Sequence, residues 1–206
     1  MVAIACIAVL GLVSAHTYGT QQVAQSPAAG QSIRLQVITM TPLPDRVLEA
    51  VVDEAAAIWA PYGVTVTATR QLVRPQVSPD QWITLIVRDA SLPGPGRPFR
   101  DGRQQLAGLA FTAGVPGHLM TASWNVARDM AAGAGLPGAA GNDLAARLLG
   151  RAVAHEIGHY LLRTRDHAPR GLMRAVFTVR DVRGDRSELL LEPAQIRALE
   201  AGTAGR

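Results

Sequence analysis

Residues 154–160 read Ala-His-Glu-Ile-Gly-His-Tyr, and the spacing of the two histidines constrains the chain more than any other feature. Positions four apart share one face of an α-helix, so His155 and His159 can converge on one metal ion with Glu156 beside them. The stretch Asp143 to Leu162 reads as that helix. Leu144, Leu148, Ala152, Ile157 and Leu161 fall near a 3.6-residue apolar stripe, with Asn142 or Asp143 available as N-cap. Two imidazoles and a carboxylate in so apolar a helix are costly to bury without a partner such as a metal. Two ligands leave tetrahedral zinc short of a site, so a third protein ligand and one open position for water are expected. His167 is the candidate third ligand. A downstream carboxylate, Glu188 or Glu192, is the alternative.

His155-Glu156-Ile157-Gly158-His159, followed by His167 and Gly171-Leu172-Met173, resembles the metzincin clan of zinc metallopeptidases, in its matrixin-like branch. The resemblance implies Zn2+ held by His155, His159 and His167, Glu156 as general base, and Met173 on a tight turn beneath the metal. Leu162 and Arg165 stand where the clan has a glycine and its third histidine, and His167 lies two residues further on. The chain must therefore turn within Arg163-Thr164-Arg165-Asp166. The implied fold class is α+β, a zincin-like domain. A twisted, mostly parallel sheet with an antiparallel edge strand would pack on two long helices and a C-terminal helix.

The implied chemistry is peptide hydrolysis. Three imidazoles on zinc leave a place for water, which the metal acidifies toward neutral pH. Glu156 would take the proton and pass it to the leaving amine. Some metzincins add a tyrosine ligand after the methionine turn, but Arg174-Ala175-Val176-Phe177 contains none. A peptide or protein substrate would pair as an extended strand with a sheet edge, for which His118 to Trp124 is the candidate. His118 itself has no neighbour at ligand spacing and reads as an ordinary surface or cleft histidine. The competing function is a zinc-binding but catalytically silent interaction module. Glu156 favours the enzyme, since a purely structural site needs no carboxylate there.

Val2 to Val13 carries no charge over twelve residues, too short to span a bilayer, and Val13-Ser14-Ala15 resembles a signal-peptidase site. Residues 1–15 are therefore expected to be a signal peptide, making the protein secreted or periplasmic with no stable membrane insertion after processing. An uncleaved anchor or a cytoplasmic chain is the other reading. Cys6, the only cysteine, lies in that segment, so disulfides and a cysteine latency switch are excluded from the mature fold. Residues 16–32 hold too little apolar content to pack and read as a linker. A single domain is expected over residues 33–202.

Within it, Ile33 to Val37, Val64 to Thr69, Trp82 to Val87, Leu106 to Thr112 and His118 to Trp124 read as strands, the last two as a hairpin. Asp45 to Ala60 and a segment opening at Glu192-Pro193 read as helices, and Ser91 to Gln105 as an exposed loop. Gly133 to Gly138 matches Gly-x-Gly-x-x-Gly but lacks a leading strand and a following βαβ unit, so it reads as a flexible loop. The basic excess is all arginine. Seven arginines between Arg163 and Arg186 are interrupted by Asp166, Asp181 and Asp185 with no aromatic ladder, which argues against nucleic acid.

Overall fold

The computed structural model describes residues 31–70, 82–89, 107–110, 118–136, 138–175 and 183–204. The expected signal peptide, the linker up to residue 30 and the loop from Ser91 to Gln105 lie outside them.

The fold is α+β. Strand β1 (Gln31–Thr39) leads into helix α1 (Asp45–Trp59), a short 3-10 turn (Ala60–Tyr62) and β2 (Val64–Arg70). Strands β3 (Trp82–Arg88), β4 (Ala107–Ala110) and β5 (His118–Ser123) follow, then helices α2 (Trp124–Gly133) and α3 (Gly138–Leu162). A 3-10 turn (Arg186–Leu189) and helix α4 (Pro193–Ala204) close the chain. The strands form one sheet in the order β2-β1-β3-β5-β4. All neighbouring pairs run parallel except β4, which is antiparallel to β5. Among the described residues no helix is long and apolar enough to cross a membrane.

Alternation within the strands sorts the side chains. Ile33, Leu35 and Val37 of β1, Val64 and Val66 of β2, and Ile83, Leu85 and Val87 of β3 are buried on one face, with Met120 and Ala122 of β5. The apolar stripe of α1, through Val47, Leu48, Val51, Ala55, Ile58 and Trp59, is buried in the same core. Helix α3 is buried almost all round from Leu144 to Leu161, as expected of a helix enclosed by α1, α2 and the sheet. A helix this deeply placed makes a rigid base for side chains that must hold a fixed geometry.

Three sequence expectations change here. The segment starting at His118 is a strand only to Ser123, and Trp124 opens α2, whose buried Trp124, Val126, Ala127 and Ala131 follow a helical rather than an alternating period. That strand is also interior, paired with β3 on one side and β4 on the other, so it cannot be the edge that receives a substrate strand. The edge is β4. The helix bearing the motif begins at Gly138, so Asn142 and Asp143 lie inside its first turns rather than capping it. The glycine-rich stretch does feed the motif helix, as the connection between the end of α2 at Gly133 and the start of α3 at Gly138.

An ion-pair network locks the two long helices together. Glu54 of α1 and Arg151 of α3 are 4% and 3% exposed, and Arg151 Nε donates to Glu54 Oε1 at 2.9 Å. Arg186 donates to the other carboxylate oxygen from Nη2 at 2.7 Å and from Nε at 3.0 Å. Arg151 also donates from Nη2 to the Gly184 carbonyl at 2.9 Å. One buried carboxylate thus ties α1, α3 and the segment after residue 183.

Candidate metal centre

His155 and His159 project from the C-terminal half of α3, one turn apart, and His167 returns to them from the loop that follows. The ring centroids are 4.6 Å apart for His155 and His159, 5.3 Å for His155 and His167, and 4.9 Å for His159 and His167. One ring nitrogen from each residue can be chosen so that all three lie within 4.8 Å of one another. His155 and His159 are buried and His167 is exposed, so the cluster opens toward solvent on one side.

Backbone carbonyls decide which nitrogens remain. His155 Nδ1 lies 2.8 Å from the Leu172 carbonyl oxygen, and His159 Nδ1 lies 2.9 Å from that of Thr164. A carbonyl only accepts, so each Nδ1 carries the proton and each Nε2 keeps its lone pair. Such orientation of ligand imidazoles by a second hydrogen bond is a recurring feature of metal sites.

The loop reaches this geometry through one unusual backbone conformation. Arg163, directly after α3, has φ of +51°, the left-handed conformation that commonly ends a helix and for which glycine is usual. The turn expected between Arg163 and Asp166 is therefore made, one residue later than the clan's glycine position. Asp166 N–H donates to Thr164 Oγ1 at 3.0 Å, and Ala168 N–H to the Met173 carbonyl at 2.7 Å. Gly171 then needs its freedom twice: its φ is +72°, and an added Cβ would stand 2.2 Å from the Leu190 carbonyl oxygen.

Met173 is fully buried beneath the helix. A Cβ on Gly158 would meet its Sδ at 2.3 Å, so the missing side chain in the middle of the motif makes room for the end of the Met173 side chain. Trp59 closes the same layer, its indole N–H donating to the Ala154 carbonyl at 3.0 Å. The end of α1 thereby supports the helix one residue before the first histidine.

Glu156 lies between the two histidines on α3 and is 7% exposed. Glu188 and Glu192 do not join the cluster. Glu188 is in the exposed 3-10 turn, and Glu192 faces Arg170 at 3.6 Å. His118 is half-buried at the start of β5, with its ring edge-on to Tyr160 at 4.5 Å, and is not grouped with the three histidines. The buried Glu54 network escaped sequence reasoning, since a pairing across 97 residues leaves no local signal.

Burial depresses the basicity of the cluster. Desolvation pulls His155 down to about 4, opposed by its bond to Leu172 and assisted by the nearby His159 and His167. Desolvation lowers His159 as well, against its bond to Thr164. Both folded values lie below the unfolded value of about 6.5, so the unfolded chain binds more protons as the pH falls. Their contribution to stability is complete above about pH 6.5 and is lost as the pH drops through about 4. Thermal unfolding in chelator should accordingly give a Tm that is level above neutrality and declines from pH 6.5 toward 4, less steeply in His155→Gln. Equal slopes for the two proteins would contradict this origin.

The donor set fits a metal ion: three imidazoles, two of them of fixed tautomer, with one side open. Imidazole suits zinc, copper, iron and nickel alike. No family model matches the chain, and no curated protein matches it either.

Proposed function

We propose that the protein is an exported zinc-dependent endopeptidase of the metzincin clan, matrixin-like in its methionine turn. The observation that carries this reading is the convergence of His155, His159 and His167, with the intervening Glu156 on the same helix. Zinc would be held by the three imidazoles and would supply Lewis acidity, which acidifies water and polarises a peptide carbonyl.

The chain's own residues account for the rest. The Leu172 and Thr164 carbonyls hold two rings in one tautomer and one orientation, so little rearrangement is needed when a ligand enters. The Glu156 carboxylate is the base that removes a proton from water and returns it to the departing amine. The Met173 side chain packs against Gly158 of α3, next to the Leu172 carbonyl that bonds His155. An extended substrate would add to β4, whose outer side has no strand partner among the described residues. The clan's glycine and its spacing to the third histidine are both absent, and the left-handed Arg163 serves the same end by a longer path.

The test is elemental analysis of the purified mature chain beside a broad peptide-library digestion. One zinc per chain and cleavage of internal peptide bonds are expected. His167→Ala should lose most of the metal, since His155 and His159 alone fall one ligand short of a three-ligand site. Unchanged zinc content in that variant would remove the assignment, and bound zinc with no cleavage of any peptide would favour a silent binding module.

A further inference from the structure

The His155 ring is held by a stretch of backbone that is itself gripped from the end of α1. Its Nδ1–H donates to the Leu172 carbonyl at 2.8 Å, and the Leu172 N–H donates to the Leu190 carbonyl at 3.4 Å. That carbonyl belongs to the planar Leu190–Leu191 peptide, whose N–H points the opposite way and donates to the Tyr62 hydroxyl oxygen at 2.8 Å. One line of hydrogen bonds therefore runs from Tyr62 through Leu191, Leu190 and Leu172 to His155.

The middle of this line is held by its surroundings and not by Leu190 itself. The Leu190 side chain is 49% exposed, whereas Leu189 and Leu191 on either side are buried. Tyr62 is suited to the far end. It is buried, and its ring meets that of Trp59 edge-on, with centroids 5.8 Å apart. Burial pushes its hydroxyl above the ordinary tyrosine value, against the bond from Leu191, so it stays an uncharged group. Trp59, just before it, donates to the Ala154 carbonyl, one residue ahead of His155. The turn that ends α1 thus reaches the first histidine twice, at the backbone through Trp59 and at the ring through Tyr62.

We infer that Tyr62 is a positioning residue of the metal centre, fixing the tautomer and aim of His155 through the Leu190–Leu191 peptide and Leu172. The consequence for metal affinity rests on the zinc-site reading above, while the orientation of the ring belongs to the metal-free chain. Partners that orient a ligand imidazole are commonly worth 10- to 100-fold in metal affinity. Tyr62 acts one step further back, which places its effect at the lower end.

The test is Tyr62→Phe, which removes the hydroxyl and keeps the ring against Trp59. Ile83→Val, in the buried part of β3, lowers stability without taking part in the line and serves as the reference. Histidine-ring NMR is recorded on the chelator-treated mature chain near neutral pH, with His155→Gln assigning the first ligand. Zinc affinity is measured by competition with a chromophoric chelator. In the parent, His155 and His159 should each show a protonated Nδ1 and an unprotonated Nε2. In Tyr62→Phe the His155 signals should move to the average of the two tautomers, while those of His159, held by Thr164, stay. Zinc should bind that variant about tenfold more weakly. Ile83→Val should leave both rings and the affinity as in the parent. His155 signals or zinc affinity unmoved by Tyr62→Phe overturn the inference and leave the zinc-site reading standing. An equal change in both rings, or the same change in Ile83→Val, means general loosening and also overturns it, as does a parent whose His155 is already averaged. A parent that binds no zinc sinks the peptidase reading, and the ring signals alone then decide the inference.

Discussion

If the protein is the zinc peptidase proposed above, Glu156→Gln is expected to abolish peptide hydrolysis almost completely while fold and metal content stay as in the parent. The amide matches the carboxylate in size but cannot take up a proton. The loss should equal the usual worth of a general base, about 10²- to 10⁴-fold in kcat. Because Glu156 is not one of the three converging donors, zinc content should be unchanged and KM little affected. A combined measurement of zinc stoichiometry and kcat on one preparation settles the matter. Activity surviving undiminished would mean that another group moves the proton, and loss of metal would mean that Glu156 organises the site instead.

The second large effect lies away from the cluster. Glu54→Gln should destabilise the protein by about 3–5 kcal/mol, the range for removing one partner of a buried ion pair. The Arg151 guanidinium, 3% exposed, would lose the Glu54 carboxylate while staying charged in the core. At about 2–4 °C per kcal/mol for a chain of this size, the Tm should fall by roughly 6–20 °C. Replacing Glu54 and Arg151 together by leucine and methionine should recover most of that loss, because no buried charge then remains and the half-exposed Arg186 can turn to solvent. If the single substitution changed Tm by less than a degree or two, the network would be an ornament of the fold and not a tie between α1, α3 and the later segment.

The two effects differ in how far they could be anticipated. His155, Glu156 and His159 are legible because a helix repeats every 3.6 residues, so chemistry on one face leaves a local pattern. β1, β2 and β3 were legible for the equivalent reason with a period of two. The run from His118 shows where this fails: the chain passes from β5 into α2 at Trp124 without a proline, a glycine or a capping bond from Ser123, so no local signal divides them. Helix α3 starts earlier than the apolar stripe predicts, at Gly138, for a related reason. Gly138, Gly141 and Asn142 are poor helix formers, and enclosure of the helix by its neighbours overrides their preference. Strand order has no local signature, so nothing in the sequence says that β4 and not β5 ends that side of the sheet. The Glu54 network depends wholly on tertiary approach.

The amide of Ala168, donating to the Met173 carbonyl at 2.7 Å, sits immediately after His167 and closes the span that α3 and the methionine turn hold between them. An ion bridging helix and loop would staple that span at its middle, so every opening that exposes this amide would first have to detach one ligand. Deuterium uptake at this single position should therefore slow when zinc is added and quicken with chelator, giving a gauge of occupancy that needs no substrate.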